Sequence, residues 1–171
     1  VVTSDAAVRV GLSMSRFDAE TTSRLVRALP ATANVKNPVD VIGDARADRY
    51  QAALDAVLED RNVDQVLVIL TPQSMTDIES IALGICRVKD RSRKPIACSF
   101  MGAADVGPGI HLLQDAHIPH YILPEWACRA MSDVERVRTW RGRELADPEP
   151  LPVDRAAVEA IVCGAAPGYL S

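Results

Sequence analysis

The sequence predicts an α/β fold in which parallel strands are wound on both faces by helices into three layers. Two short apolar runs, V-L-V-I-L at Val66–Leu70 and I-A-C-S-F at Ile96–Phe100, are too short for helices and suit strands buried on both faces. Each run ends in a turn and is followed by apolar residues at helical spacing. Strands that alternate with longer helices across short loops imply right-handed crossovers. Ligands of such sheets sit beyond the carboxyl ends of the strands.

Composition narrows the possibilities. A chain of 171 residues with 48% hydrophobic content is large enough for one compact domain with its own core. A net charge of −4 with basic residues scattered among acids offers no field for nucleic acid or an anionic membrane, so neither is expected as a partner. No apolar run approaches the roughly 18 residues of a bilayer span, and the N-terminus has no signal-peptide pattern, so a cytoplasmic protein is expected. Cys86, Cys98, Cys128 and Cys163 lack paired spacing, and neither disulfides nor a zinc site is indicated.

Taken in order, Thr3 or Ser4 caps a short helix that Gly11 ends. Asp18 caps a second whose inner face is Thr22, Leu25, Val26 and Leu29, stopped by Pro30. An α/β domain that opens on a helix is unusual, because the first helix normally packs on a preceding strand. Asn34–Ile42 reads as a short edge strand or strand entry around Pro38. A helix from Ala47 to Glu59 buries Tyr50, Ala53, Leu54, Val57 and Leu58. After Val66–Leu70, the residues Thr71 to Ser74 make a turn and Ile78, Ile81, Ala82, Ile85 and Cys86 mark a helix to Lys89. After Ile96–Phe100 come a helix over Val106–Ala116, a short strand over His120–Leu123, and, after Pro124-Glu125, a long helix from Trp126 with Ala127, Ala130, Met131, Val134 and Val137 inward, whose first turn Pro124 suits. Residues 1–143 form the domain. Residues 144–171 read as a proline-rich linker, a short helix from Arg155 to Cys163 and a tail.

The chemical candidates are few. The turn Thr71, Pro72, Gln73, Ser74, Met75 and Thr76 lies where a central strand hands over to a helix, and unpaired N–H groups there suit an anion. The competing reading is local: Ser74-x-x-Asp77 and Thr76-x-x-Glu79 both fit capping boxes, and Asp77 and Glu79 repel a phosphate. His111, His117 and His120 invite a metal reading, but His117 and His120 flank the Ile118-Pro119 loop and read as solvated loop histidines rather than ligands. Gly107-Pro108-Gly109 is a helix start and not a dinucleotide fingerprint, no serine sits in a nucleophile elbow, and Glu125 serves the helix dipole.

Five segments carry a resemblance: N-P-V-D-V-I-G-D-A from Asn37, L-E-D-R-N-V-D-Q-V-L-V-I-L-T-P-Q-S-M-T-D from Leu58, K-P-I-A-C-S-F-M-G from Lys94, I-P-H-Y-I-L-P-E-W-A from Ile118, and P-V-D-R-A-A-V from Pro152. Together they resemble the flavodoxin-like, succinyl-CoA synthetase-type ligase domain of NDP-forming acyl-CoA synthetases, the acetate-CoA ligase (ADP-forming) group. The resemblance implies a modular enzyme that makes acyl-CoA, ADP and phosphate from acid, CoA and ATP through a phosphohistidine. Its CoA-binding, phosphohistidine and ATP-grasp domains would be this chain's partners, in a homo-oligomer.

None of the three histidines here lies in the phosphohistidine motif, so the resemblance implies no catalytic residue and a fragment inactive alone. CoA, ATP or ADP, and Mg would serve the whole enzyme and not this chain by itself. Thr71 to Thr76 would face the phosphorylated loop and hold its phosphate, with Asn37, Asp40, Met101 and Gly102 lining the same edge. Relatives carry a strand and a glycine-rich turn just before the position of Val1, so the sheet is expected to lack its first strand. They also carry glycine where this chain has His117. The alternative is a regulatory or scaffold module of a larger protein, such as an acyltransferase fusion.

Overall fold

A computed structural model describes residues 2–73, 76–102, 106–144 and 152–164. Its elements are α1 (Val2–Arg9), α2 (Ala19–Ala28), α3 (Ala47–Glu59), β1 (Val66–Leu70), α4 (Ile78–Arg91), β2 (Ile96–Phe100), α5 (Gly107–Asp115), α6 (Pro124–Arg141) and α7 (Arg155–Gly164). Residues 1–140 form one compact unit and residues 141–171 a second. Of the second unit, residues 141–144 and 152–164 are described, and the residues of α7 among them are all exposed. The expected linker falls largely on residues 145–151, outside the described residues, as does the tail after Gly164.

β1 and β2 run parallel in register, Val66 beside Ile96 through Leu70 beside Phe100. The Val66 N–H donates to the Pro95 carbonyl and the Met101 N–H to the Leu70 carbonyl. Below the sheet, Val68, Leu70, Ile96, Cys98 and Phe100 pack against α4 and α5, with Ile81, Ile85 and Leu113 fully buried between them. α1 and α6 line one cavity together with β1, and Ser132 Oγ of α6 donates to the carbonyl of Val10, just after α1, at 2.6 Å. This is the expected order of three layers, set by the two-residue periodicity of each strand. A smaller core of Leu25, Leu29, Ala53 and Ala56 holds α2 to α3.

Several expectations are corrected. Among the described residues the sheet has two strands. Asn34–Ile42 contributes a single antiparallel bridge between Asn34 and Asp40, and His120–Leu123 a single parallel bridge between Cys98 and His120. In both places proline removes the N–H that a longer ladder needs, Pro38 in the first and Pro119 just ahead of the second. β1 is covered on one face: Val68 and Leu70 are buried, while Leu67 and Ile69 are half-buried. Strand alternation turns the main-chain groups of Leu67 and Ile69 away from β2, toward an edge where no described strand lies. A cavity of about 610 Å³ runs along that edge between Ala7, Tyr50, Leu54 and Met131.

The helix faces also differ in detail. Thr3 and Ser4 lie inside α1 and do not cap it. The inner face of α2 is Thr21, Leu25 and Leu29, with Val26 exposed, because the i, i+4 row and not Thr22 points at α3. α6 buries Ala127, Cys128, Met131 and Ser132, leaving Val134, Val137 and Trp140 exposed where the helix runs past the core. No described helix is long and apolar enough to cross a membrane.

Candidate functional site

The carboxyl ends of β1 and β2 are tied together by the 2.8 Å bond from the Met101 N–H to the Leu70 carbonyl. The chains leaving them stay close. Gly102 has φ +134°, a conformation open to glycine, and a side chain there would meet the Pro72 ring at 3.3 Å. Pro72 of the first turn and Gly102 of the second therefore form one surface.

The turn after β1 closes on itself. The Gln73 N–H donates to Thr76 Oγ1 at 2.8 Å, and the Thr76 N–H returns to the Gln73 carbonyl at 2.9 Å. α4 then begins with Asp77 as its cap: Asp77 Oδ1 accepts the Ser80 N–H at 3.0 Å and Oδ2 the Ser80 hydroxyl at 2.7 Å. These bonds hold the Asp77 carboxyl below its ordinary range, the Ser80 hydroxyl first, then the Ser80 N–H, with the charge of Arg46 adding to them. The Thr76-x-x-Glu79 box does not form, and Ser74 of the other box lies outside the described residues. The cap is Asp77, because an aspartate directly before Ile78 already satisfies a first-turn N–H.

The anion reading changes accordingly. The main-chain amides of Gln73, Thr76 and Ser80 are occupied from within, and a carboxylate stands at the helix start. Thr71 is exposed beside them. Ser74 and Met75 lie outside the described residues. What the turn does present is the exposed Gln73 side chain, which has no hydrogen bond to any described residue. A cavity of about 310 Å³ opens here, lined by Pro72, Gln73, Thr76 to Glu79, and Pro108 at the start of α5.

The other predicted residues divide. Met101 and Gly102 belong to this rim. Asn37 does not: its side-chain amide donates to the Ser15 carbonyl at 3.2 Å, and it lines the larger cavity along β1. Asp40 is committed to its own loop, accepting the Ile42 N–H at 2.9 Å. It is Gly43, three residues on, that reaches the rim and touches Gln73. Gly43, Arg46 and Asp77 were missed as site residues. The D-x-x-S spacing of Asp77 and Ser80 was the available signal for the cap, whereas the meeting of Gly43 with Gln73 has none, because it joins loops from different elements.

The histidines separate as well. His111 and His117 are exposed. His120 is not the solvated loop residue expected: it stands edge-on to Phe100 at 6.2 Å, with Nε2 buried and without a hydrogen-bond partner among the described residues. Burial lowers its pKa, opposed by a main-chain hydrogen bond at Phe100. Glu125 Oε2, in the first turn of α6, is likewise buried without a partner among the described residues. No group of three or more metal-binding side chains occurs among the described residues.

Residues 1–132 match the family model of the Ligase-CoA domain. The acetate–CoA ligase [ADP-forming] I of Archaeoglobus fulgidus is 34% identical over 163 residues, which are 95% of this chain and 23% of that protein. The acetate–CoA ligase [ADP-forming] of Methanocaldococcus jannaschii is 36% identical over 148 residues, 84% of this chain and 21% of that one. Among solved structures, a Ca. Korarchaeum cryptofilum dinucleotide-forming acetyl-coenzyme A synthetase 1, in complex with phosphate and ADP, superposes with a TM-score of 0.76 at 25% identity, covering 85% of this chain and 32% of its own. The chain thus spans less than a quarter of the length of these two curated relatives.

Proposed function

Because the chain belongs to the Ligase-CoA domain family, we propose that it is one domain of an ADP-forming acyl-CoA synthetase, which makes acyl-CoA, ADP and phosphate from a carboxylic acid, CoA and ATP. In this reading a phosphohistidine domain, a CoA-binding domain and an ATP-grasp domain are its partners in a cytoplasmic homo-oligomer. CoA, nucleotide and Mg are held by those partners, and the chain has no turnover alone. Its own contribution is a rim that meets the phosphorylated loop.

The observation that carries this is the Gln73 side-chain amide, exposed where the loops after β1 and β2 meet. The rim offers a phosphoryl group that side-chain donor, while the main-chain amides of Gln73, Thr76 and Ser80 are already bonded. A neutral amide gives a phosphoryl oxygen a hydrogen bond without fixing it so tightly that it cannot leave. The α4 dipole supports the same polarity, and Asp77 opposes it. The test is the full-length ligase with acetate, CoA and ATP: Gln73→Ala is expected to lower ADP release tenfold or more and to shorten the phosphohistidine lifetime. An unchanged lifetime removes the rim from the reaction.

One observation favours the alternative of a scaffold or regulatory module: the acidic pair Asp77 and Glu79 lines the small cavity. That reading expects no phosphate dependence at the rim, and a parent reading frame whose phosphohistidine or ATP-grasp domain has decayed.

A further inference from the structure

The loop from Asp40 to Ala45 is held harder than a surface connection requires. Ile42 has φ +68°. A β-branched residue in this left-handed region is a genuine outlier, and it persists only where its surroundings impose it. Four hydrogen bonds impose it here. Asp40 Oδ1 accepts the Ile42 N–H at 2.9 Å. The Ile42 carbonyl accepts the Ala45 N–H at 2.9 Å. Arg49 Nη1, from the first turn of α3, reaches both the Val41 carbonyl at 3.2 Å and Asp44 Oδ1 at 2.6 Å.

The outcome of this constraint is the placing of the next residue. A Cβ on Gly43 would lie 2.7 Å from Gln73 Nε2, closer than the two can approach, and 3.3 Å from Gln73 Cδ, so the end of the Gln73 side chain would have to move. The Gln73 main chain is fixed independently by its exchange with Thr76. Its flexible side chain thus has one end anchored by the β1 turn and the other resting on bare backbone.

We infer that the Asp40–Ala45 loop is a positioning device for the Gln73 side-chain amide: the left-handed turn at Ile42 presents Gly43 as a seat, and the seat sets where the Nε2 donor stands on the rim. Gly43 and Ile42 act through Gln73 and touch no reacting group. The identity of the group that Nε2 serves rests on the proposed function; the seat itself does not.

Two measurements keep these apart. In the isotopically labelled 171-residue chain, a nuclear Overhauser contact is expected between the Gln73 side-chain NH2 and the Gly43 Hα, lost in Gly43→Ala and weakened in Ile42→Gly. In the full-length ligase with acetate, CoA and ATP, Gly43→Ala is expected to lower kcat tenfold or more with KM for acetate unchanged. Gly43→Ala combined with Gln73→Ala is expected to be no slower than Gln73→Ala alone. Absence of the contact in the unaltered chain overturns the inference, and so do losses that multiply in the double variant. A contact that is present and lost as described, with turnover unaffected by either variant, upholds the seat and overturns the phosphoryl reading of the rim.

Discussion

The carboxylate of Asp60 accepts the main-chain N–H of Asp18 at 2.9 Å, joining the residue that caps α2 to the residue that ends α3 across 42 positions. The same carboxylate accepts the Asn62 N–H at 2.8 Å, and the Asp60 carbonyl accepts the Lys94 ammonium just before β2. Asp60 is 2% exposed, so donors from the protein and not bulk water satisfy it. Asp60→Ala strands two main-chain donors and is expected to cost about 2–3 kcal/mol, read from denaturant unfolding.

Acid should act on the same group. Burial alone raises the Asp60 pKa, but the N–H groups of Asn62 and Asp18, Thr21 and the Lys94 charge outweigh it and hold it below 3.8. A carboxyl with a depressed folded pKa adds stability that is complete above its unfolded value and disappears as pH falls through the folded one. Unfolding midpoints measured downward from pH 5 should therefore fall less steeply in Asp60→Asn than in the parent chain.

The helix below the sheet provides the largest expected losses. Ile81 and Ile85 of α4 are both 0% exposed and pack between β1, β2 and α5. Each changed to alanine should cost roughly 2–5 kcal/mol. Val134→Ala on α6, at 60% exposure, should stay within about 0.5 kcal/mol in the same denaturant series.

His117 has φ +54°, in the turn between α5 and the short bridge at His120. Glycine, which the family resemblance implies at that position, adopts the left-handed region without steric cost. His117→Gly is expected to leave stability level or raise it by up to about 1 kcal/mol, and His117→Val to lower it, both read as thermal midpoints.

Thiol labelling at pH 7.5 should follow burial. Cys163 is exposed, whereas Cys98 is fully buried beneath β2 with its pKa pushed well above the ordinary thiol value by burial. Cys128 is buried under α1 and its pKa is raised, by burial first and then by the charge of Glu125. Mass spectrometry after brief alkylation should find Cys163 modified first, and Cys98 and Cys128 only in denaturant.

Removing the charge but not the cap at α4 isolates its electrostatic role. Asp77→Asn keeps an acceptor for the Ser80 N–H while deleting the anion at the mouth of the smaller cavity. Titration with inorganic phosphate should show several-fold tighter binding than the parent chain, with helix content unchanged by circular dichroism. Unchanged binding would mean that phosphate does not visit this mouth.

What the sequence by itself determined is whatever a few neighbouring residues decide. Val66–Leu70 and Ile96–Phe100 announce themselves as strands because an unbroken apolar run of five admits little else, and Asp18 announces a helix because its carboxylate satisfies an N–H three residues on. The layered class and the family resemblance followed from such local signals taken in order. Tertiary structure alone decided which groups are spent and which are offered. Whether the Gln73 N–H is available depends on a Thr76 rotamer, whether Asn37 reaches the rim depends on Ser15, and whether Gly43 matters depends on a loop brought beside it from another element. A hydrogen-bond donor is committed by its nearest acceptor in space, and distance along the chain carries no information about that once two loops meet.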